Sequence, residues 1–198
     1  MSWAEDQKWE AAYWGDCRNT LIEELKQLSY FKRLGLKETG MSHWRFTFDM
    51  EGKSVIDIGG GPASFLLKCV NVHGTVVEPN SYPEWVYERY KAAGIRLLAV
   101  KAENFGPDAF PYGDYNYDEV WMYNVLQHVE DPQKVVDNAR RYGKLLRFFD
   151  WLDTPPHEGH PHTLTKELLD GWLGASGTTE IIDENDARGL CYYGVFPQ

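Results

Sequence analysis

Three successive glycines, Gly59-Gly60-Gly61, follow the apolar run Ser54-Val55-Ile56-Asp57-Ile58, and the next apolar run, Thr75-Val76-Val77, ends in Glu78. Glycines in that position remove the β-carbons that hold a ligand away from the backbone. The pattern reads as a buried strand, a glycine turn, a helix whose unpaired N–H groups point into the same gap, and a second strand ending in a carboxylate. Glu78 is then placed to accept hydrogen bonds from two ribose hydroxyls. Together these residues predict a site for an adenosine-type cofactor.

The same residues carry a resemblance. Asp57-Ile58-Gly59-Gly60-Gly61 matches the Asp-x-Gly-x-Gly motif of class I S-adenosylmethionine-dependent methyltransferases, and Tyr117 to Pro132 is similar to the fourth-strand segment of their small-molecule members. In that segment a hydrophobic strand leads into Asn124-Val125-Leu126, then His128, then Asp131-Pro132. The chain resembles that family over residues 52–198. The resemblance implies S-adenosylmethionine as cofactor, with Gly59 and Gly61 near its amino-acid part, Glu78 at the ribose, Ala102 and Glu103 at the adenine, and Asn124 near the sulfonium. Asp57, Gly60, Pro79, Tyr123 and Val125 complete the expected binding set, and Lys101 stands where the family commonly has Asp. A nicotinamide-binding protein is the competing reading, but its Gly-x-Gly-x-x-Gly/Ala fingerprint would need Gly or Ala where Ser64 stands. A glycine turn with no ligand is the third.

A sulfonium already activates its methyl group, so positioning supplies most of the catalysis. An acceptor that must lose a proton gains from a base of near-neutral pKa, and His128, His160 and His162 are the candidates. For His128 the competing role is a hydrogen bond to a backbone carbonyl. The spacing of His157, His160 and His162, with Glu158 nearby, also admits a metal, but no further cluster completes a ligand set, so none is expected. The Asn124-Val125-Leu126-Gln127 segment lacks the Pro-Pro-aromatic run of amino-methylating DNA enzymes, and no cysteine follows a proline as in cytosine-C5 enzymes. With a net charge of −10, this favours a small-molecule acceptor over nucleic acid. Tyr13, Trp14, Trp151 and the loop histidines are the expected acceptor-pocket residues. Two other outcomes stay open: chemistry on another arm of the sulfonium, and a binding module of the same fold without turnover.

The elements that must position these groups follow from patterning. The 198 residues fit a single domain, with residues 1–50 a helical appendage or lid and residues 51–198 a Rossmann-like core. Thr20 and Glu23 suggest a capping box for an N-terminal helix, and Ser81 with Glu84 suggests another. From Lys53 onward strands and helices alternate: strands at 53–58, 75–78, 95–100, 118–123 and 144–149, with helices at 62–70, after Ser81, after Asp131, and at 166–173. Strands at 178–183 and 190–196 have only a short polar loop between them, which joins antiparallel neighbours. The expected fold is α/β, a seven-stranded and mostly parallel sheet with helices on both faces and a C-terminal antiparallel hairpin. No apolar stretch reaches the ~18 residues of a membrane span, and the acidic start lacks signal-peptide character, so a cytoplasmic location is expected. Three scattered cysteines suggest reduced thiols, and the basic group Arg140, Arg141, Lys144 and Arg147 reads as structural.

Overall fold

The computed structural model describes residues 3–42, 45–106, 116–157 and 159–198. Its strands are β1 (Gly40–Ser42), β2 (Arg45–Asp49), β3 (Ser54–Ile58), β4 (Cys69–Val70), β5 (His73–Val77), β6 (Arg96–Leu98), β7 (Glu119–Tyr123), β8 (Leu145–Trp151), β9 (Thr178–Glu184) and β10 (Ala187–Pro197). Its helices are α1 (Trp3–Trp14), α2 (Cys17–Arg33), α3 (Glu84–Ala92), α4 (Pro132–Tyr142) and α5 (Lys166–Leu173).

Seven strands form one sheet in the order β6-β5-β3-β7-β8-β10-β9. The first four pairings are parallel, and β10 runs antiparallel to both β8 and β9. The hairpin is tighter than its polar loop suggested: Asn185 and Asp186, both left-handed at φ 49° and 62°, make a two-residue turn. Successive residues of the central strands point to opposite faces, and each face is covered. On one, Ile56, Ile58, Val120, Met122, Leu146 and Phe148 pack with Val135, Val136 and Ala139 of α4 and Leu169 and Leu173 of α5. On the other, Val55, Trp121, Tyr123 and Phe149 pack with Tyr30 and Phe31 of α2, Val86 and Tyr90 of α3, and Phe48 of β2. Burial of each large side chain contributes roughly 1.5–3 kcal/mol, which is why these faces and not the local propensities dictate the layers.

Some local expectations are replaced. The helix expected at 62–70 is absent: residues Gly61–Ala63 and Phe65–Lys68 form two short 3₁₀ turns, and Cys69-Val70 then pairs with Phe48-Asp49 as β4. The break is at Ser64, whose extended backbone (ψ 139°) and side chain serve other partners: its hydroxyl bonds Asp57 and receives the Leu66 N–H. Consequently the glycine turn leads into 3₁₀ turns and not into an α-helix. The three-stranded sheet β1-β2-β4 had no counterpart in the sequence reading. Helix α2 is capped by Asp16, which accepts from Arg18 N–H, while Thr20 bonds the Trp14 carbonyl, so the Thr20–Glu23 box is not a cap. Helix α3 likewise starts at Glu84 after Pro83 with no side-chain cap from Ser81. Asp131, Pro132 and the left-handed Gly174 bound α4 and α5 as their types suggest. The basic residues are absorbed structurally: Arg147 and Lys144 bond Glu119 and Asp118, and Arg140 bonds the Trp172 carbonyl.

Candidate active site

Strands β3 and β7 are neighbours while the chain leaves them toward opposite edges, and a cavity opens beyond their carboxyl ends. Gly59, Gly60, Gly61, Glu78, Pro79, Ala102, Glu103, Tyr123, Asn124 and Val125 all line it, as does His128.

The glycine turn is held from below. Asp57 is fully buried and does not reach the cavity wall; its Oδ2 accepts from Ser64 Oγ at 2.5 Å and Tyr123 OH at 2.7 Å. The Tyr123 hydroxyl in turn accepts the Phe65 N–H, and the Tyr90 hydroxyl accepts from Ser64 N–H and donates to the Gly61 carbonyl. Burial pushes Asp57 up to about 7, against the two hydroxyl hydrogen bonds that lower it. Asp57 thus shapes the turn that other residues present.

Glu78 lies just past β5, its Oε2 accepting from Gly61 N–H at 3.1 Å and its Oε1 from Asn80 N–H at 2.9 Å. Burial raises it to about 7, although those amides pull the other way. A carboxylate has about four acceptor positions, so two amides leave capacity for ligand hydroxyls. Glu103, expected at the adenine, lines the cavity and is also anchored to its wall. Its Oε1 accepts from Glu130 N–H at 2.7 Å and Asp131 N–H at 3.2 Å, which ties its side chain to the entry of α4. Asn124 sits at φ 55°, a conformation non-glycine residues rarely adopt, held by its N–H on the Phe149 carbonyl.

Residues 56–145 match the family model described as Methyltransferase domain. An S-adenosylmethionine-dependent methyltransferase from Thermotoga maritima, described as a possible histamine N-methyltransferase, superposes with a TM-score of 0.59 at 17% identity, covering 96% of this chain and 98% of its own. The chain thus has the fold of these methyltransferases, and its residues 56–145 are similar to a methyltransferase domain. A methyltransferase from Aquifex aeolicus (TM-score 0.53, 17% identity, 88% and 98% covered) has the same fold. So does the N-terminal domain of EvdMO1, whose structure holds S-adenosylhomocysteine (0.53, 13%, 92% and 84%). In sequence, an uncharacterized 37.1 kDa protein in transposon TN4556 of Streptomyces fradiae is 30% identical over 122 residues, 58% of this chain. The chain spans about a third (35%) of that curated relative's length.

The cavity suits S-adenosylmethionine. A β-carbon on Gly61 would meet nothing nearer than the Tyr82 hydroxyl at 3.9 Å, so the bare backbone fronts open space. The described wall holds Glu10, Glu23, Glu78 and Glu103 and no Lys or Arg, a charge balance that favours a sulfonium cation and disfavours a dinucleotide pyrophosphate.

Sequence reasoning expected an N-terminal helical lid with Tyr13 and Trp14 at the acceptor, but it missed Gln7, Glu10, Glu23 and Gln27 and the role of Asp150. Gln7, Glu10 and Trp14 of α1 and Glu23 and Gln27 of α2 enter the wall. Glu10 Oε1 lies 3.0 Å from His128 Nδ1, which also bonds the Gly159 carbonyl at 2.7 Å, and Trp14 Nε1–H donates to Glu10 Oε2. Burial works against charge on both, but each stabilises the other: Glu10 is held below the usual carboxylate range and His128 above its ordinary value. Asp150, buried at the end of β8, accepts from the N–H groups of Val125, Leu126 and Trp151 and so fixes the turn after β7; burial raises it to about 6. An aspartate after a strand of aromatics carries no local signal of that role.

A second cavity, of about 350 Å³, adjoins the first and shares Glu10, Trp14, Asn124 and His128 with it. Trp9, Tyr13, Trp151, His160, Lys26 and Arg188 are among the residues that line it. His160 packs against His128 at 4.2 Å between ring centroids and against His157 at 4.1 Å. His162 lines neither cavity; its Nε2 bonds the Val129 carbonyl at 2.8 Å, which makes it a brace of the 154–163 loop. Among the described residues no three His, Cys, Asp or Glu side chains gather as metal ligands, and Glu158 lies outside them. No described helix is long and apolar enough to cross a membrane.

Proposed function

We propose that this chain transfers the methyl group of S-adenosylmethionine, held in the first cavity, to a small organic molecule held in the second, in the cytoplasm. The observation that carries this reading is the shared boundary: Glu10, Trp14, Asn124 and His128 face both cavities. When bound, the cofactor supplies an activated methyl group. The glycine turn, Glu78, Pro79, Ala102, Tyr123 and Val125 bind and orient it, and Asn124 faces the point of transfer.

Trp9, Tyr13, Trp14 and Trp151 give the second cavity an aromatic lining that favours a compact, largely apolar acceptor over a nucleic-acid backbone. His128 is the candidate base. Its Nδ1–H is committed to Gly159 and Glu10, which leaves Nε2 as the nitrogen that can take a proton from the acceptor. His160 then orients the acceptor beside it. Helix α1 contributes to both walls, which supports its reading as a lid that keeps water from the transfer.

Incubation with methyl-labelled cofactor and a metabolite extract, followed by chromatography of nucleosides and mass identification of labelled products, tests the reaction. S-adenosylhomocysteine with a labelled product supports methyl transfer. Methylthioadenosine places the chemistry on another arm, and tight cofactor binding with no turnover favours a binding module.

A further inference from the structure

Glu23 of α2 lies in the wall of the first cavity and is only 9% exposed, yet its Oε2 has no hydrogen-bond partner. The Lys26 ammonium forms a long ion pair with that oxygen at 3.6 Å, and burial raises the carboxyl against the pull of Lys26, His128 and Lys68. A buried carboxylate oxygen left without a donor costs free energy unless a ligand completes it. The other acids of this wall are already occupied. Glu10 serves His128 and Trp14, Glu78 serves Gly61 and Asn80, and Glu103 serves the entry of α4. One turn along α2, Gln27 is fixed between the Ala63 carbonyl and the Lys68 ammonium, which seats this helix against the end of the glycine turn.

We propose that Glu23 receives the α-ammonium of the cofactor's amino-acid arm. The assignment rests on the cofactor reading of this cavity and adds to it an anionic residue from outside the sheet, so that α2 takes part in binding. An ammonium offers the donor that Oε2 lacks, and the pair forms a charge-assisted hydrogen bond.

Calorimetric titration of the full chain and its Glu23→Gln variant with three ligands tests this. S-adenosylmethionine carries ammonium and sulfonium, S-adenosylhomocysteine the ammonium alone, and methylthioadenosine neither. The expected result is about ten- to a hundredfold weaker binding of the first two, with methylthioadenosine unchanged. Unaltered affinity for all three overturns the assignment, as does an equal loss for all three, which marks a structural role. A loss confined to S-adenosylmethionine also overturns it, because the partner is then the sulfonium. A ligand-side measurement needs no variant: the desamino analogue of S-adenosylhomocysteine should bind the wild type about ten- to a hundredfold more weakly than the parent, and equal binding refutes the claim. A wild type that binds none of these nucleosides removes the cofactor reading itself, whereas wild-type binding with an indifferent variant removes only the role of Glu23.

Discussion

Replacing Gly59 and Gly61 by alanine one at a time separates two tasks of the same turn. Both residues are left-handed, at φ 71° and 55°, so each alanine carries a backbone cost of about 1–2 kcal/mol. Their surroundings differ. At Gly59 the new β-carbon would stand 2.7 and 2.9 Å from the two methyl carbons of Val125, a contact that forces the turn after β7 to move. Overpacking of that kind adds about 1–3 kcal/mol, for a total of roughly 2–5 kcal/mol. At Gly61 the nearest atom is 3.9 Å away, so stability should fall by the backbone term alone, while the methyl group occupies space meant for ligand. For a chain of this size each kcal/mol lowers Tm by about 2–4 °C, which makes the expected drop about 2–8 °C for Gly61→Ala and clearly more for Gly59→Ala. Urea denaturation measures the first quantity and calorimetric titration with S-adenosylhomocysteine the second, where Gly61→Ala should lose about tenfold or more in affinity, one charge-assisted contact or its equivalent. Adding Val125→Ala should restore about 0.5–3 kcal/mol to Gly59→Ala and nothing to Gly61→Ala. Equal destabilisation by the two alanines, or wild-type affinity in Gly61→Ala, would refute the division of labour.

Asp57 and Glu78 titrate near 7 and Asp150 near 6, above their ordinary 3.8, 4.5 and 3.8. The folded chain therefore keeps protons that the unfolded chain has released, and stability of the unliganded protein should fall as pH rises from about 4 toward 7. Glu78→Gln should flatten that decline, as urea midpoints at about pH 5 and about pH 8 would show; an unchanged slope counts against the burial argument. Glu10→Gln removes the charge that holds His128 above its ordinary value. If His128 is the base, the rising limb of kcat/KM against pH should move to lower pH, and a stationary limb would exclude it. Arg147→Met deprives Glu119, which is 2% exposed, of a partner at 2.6 Å. Burial opposes the Glu119 charge, and Arg147, Trp121 and Lys53 together hold it at about 2, so the loss should reach about 3 kcal/mol by urea denaturation, moderated by Lys53 at 3.0 Å. A loss below about 1 kcal/mol would mean that the pair is dispensable.

The cavity floor was readable because its signals are local. Three glycines after a run of β-branched residues dictate a turn whose backbone is exposed, and an acid at the end of the next apolar run must arrive at the same rim when the strands are parallel neighbours. Asp131-Pro132 and Gly174 mark helix ends through their own side chains or lack of one. The same local logic erred at 62–70, where Ser64 is drawn out of helical geometry by Asp57, a partner seven residues earlier, and the following residues are claimed by β2. It also placed caps at Thr20 and Ser81, where motif-like spacing lost to the actual path of the chain.

Composition, strand patterning and the glycine turn were enough to determine the layered α/β fold, the sheet with its terminal hairpin, and the cofactor rim, since each depends on residues near one another along the chain. What closes the site was decided only in three dimensions. Glu10 meets His128 across 118 positions, Glu23 and Gln27 reach the glycine turn from a preceding helix, and Asp150 braces a turn that begins 25 residues before it. Such pairings are set by which faces can be buried together, and no periodicity of a single segment encodes the identity of its neighbour.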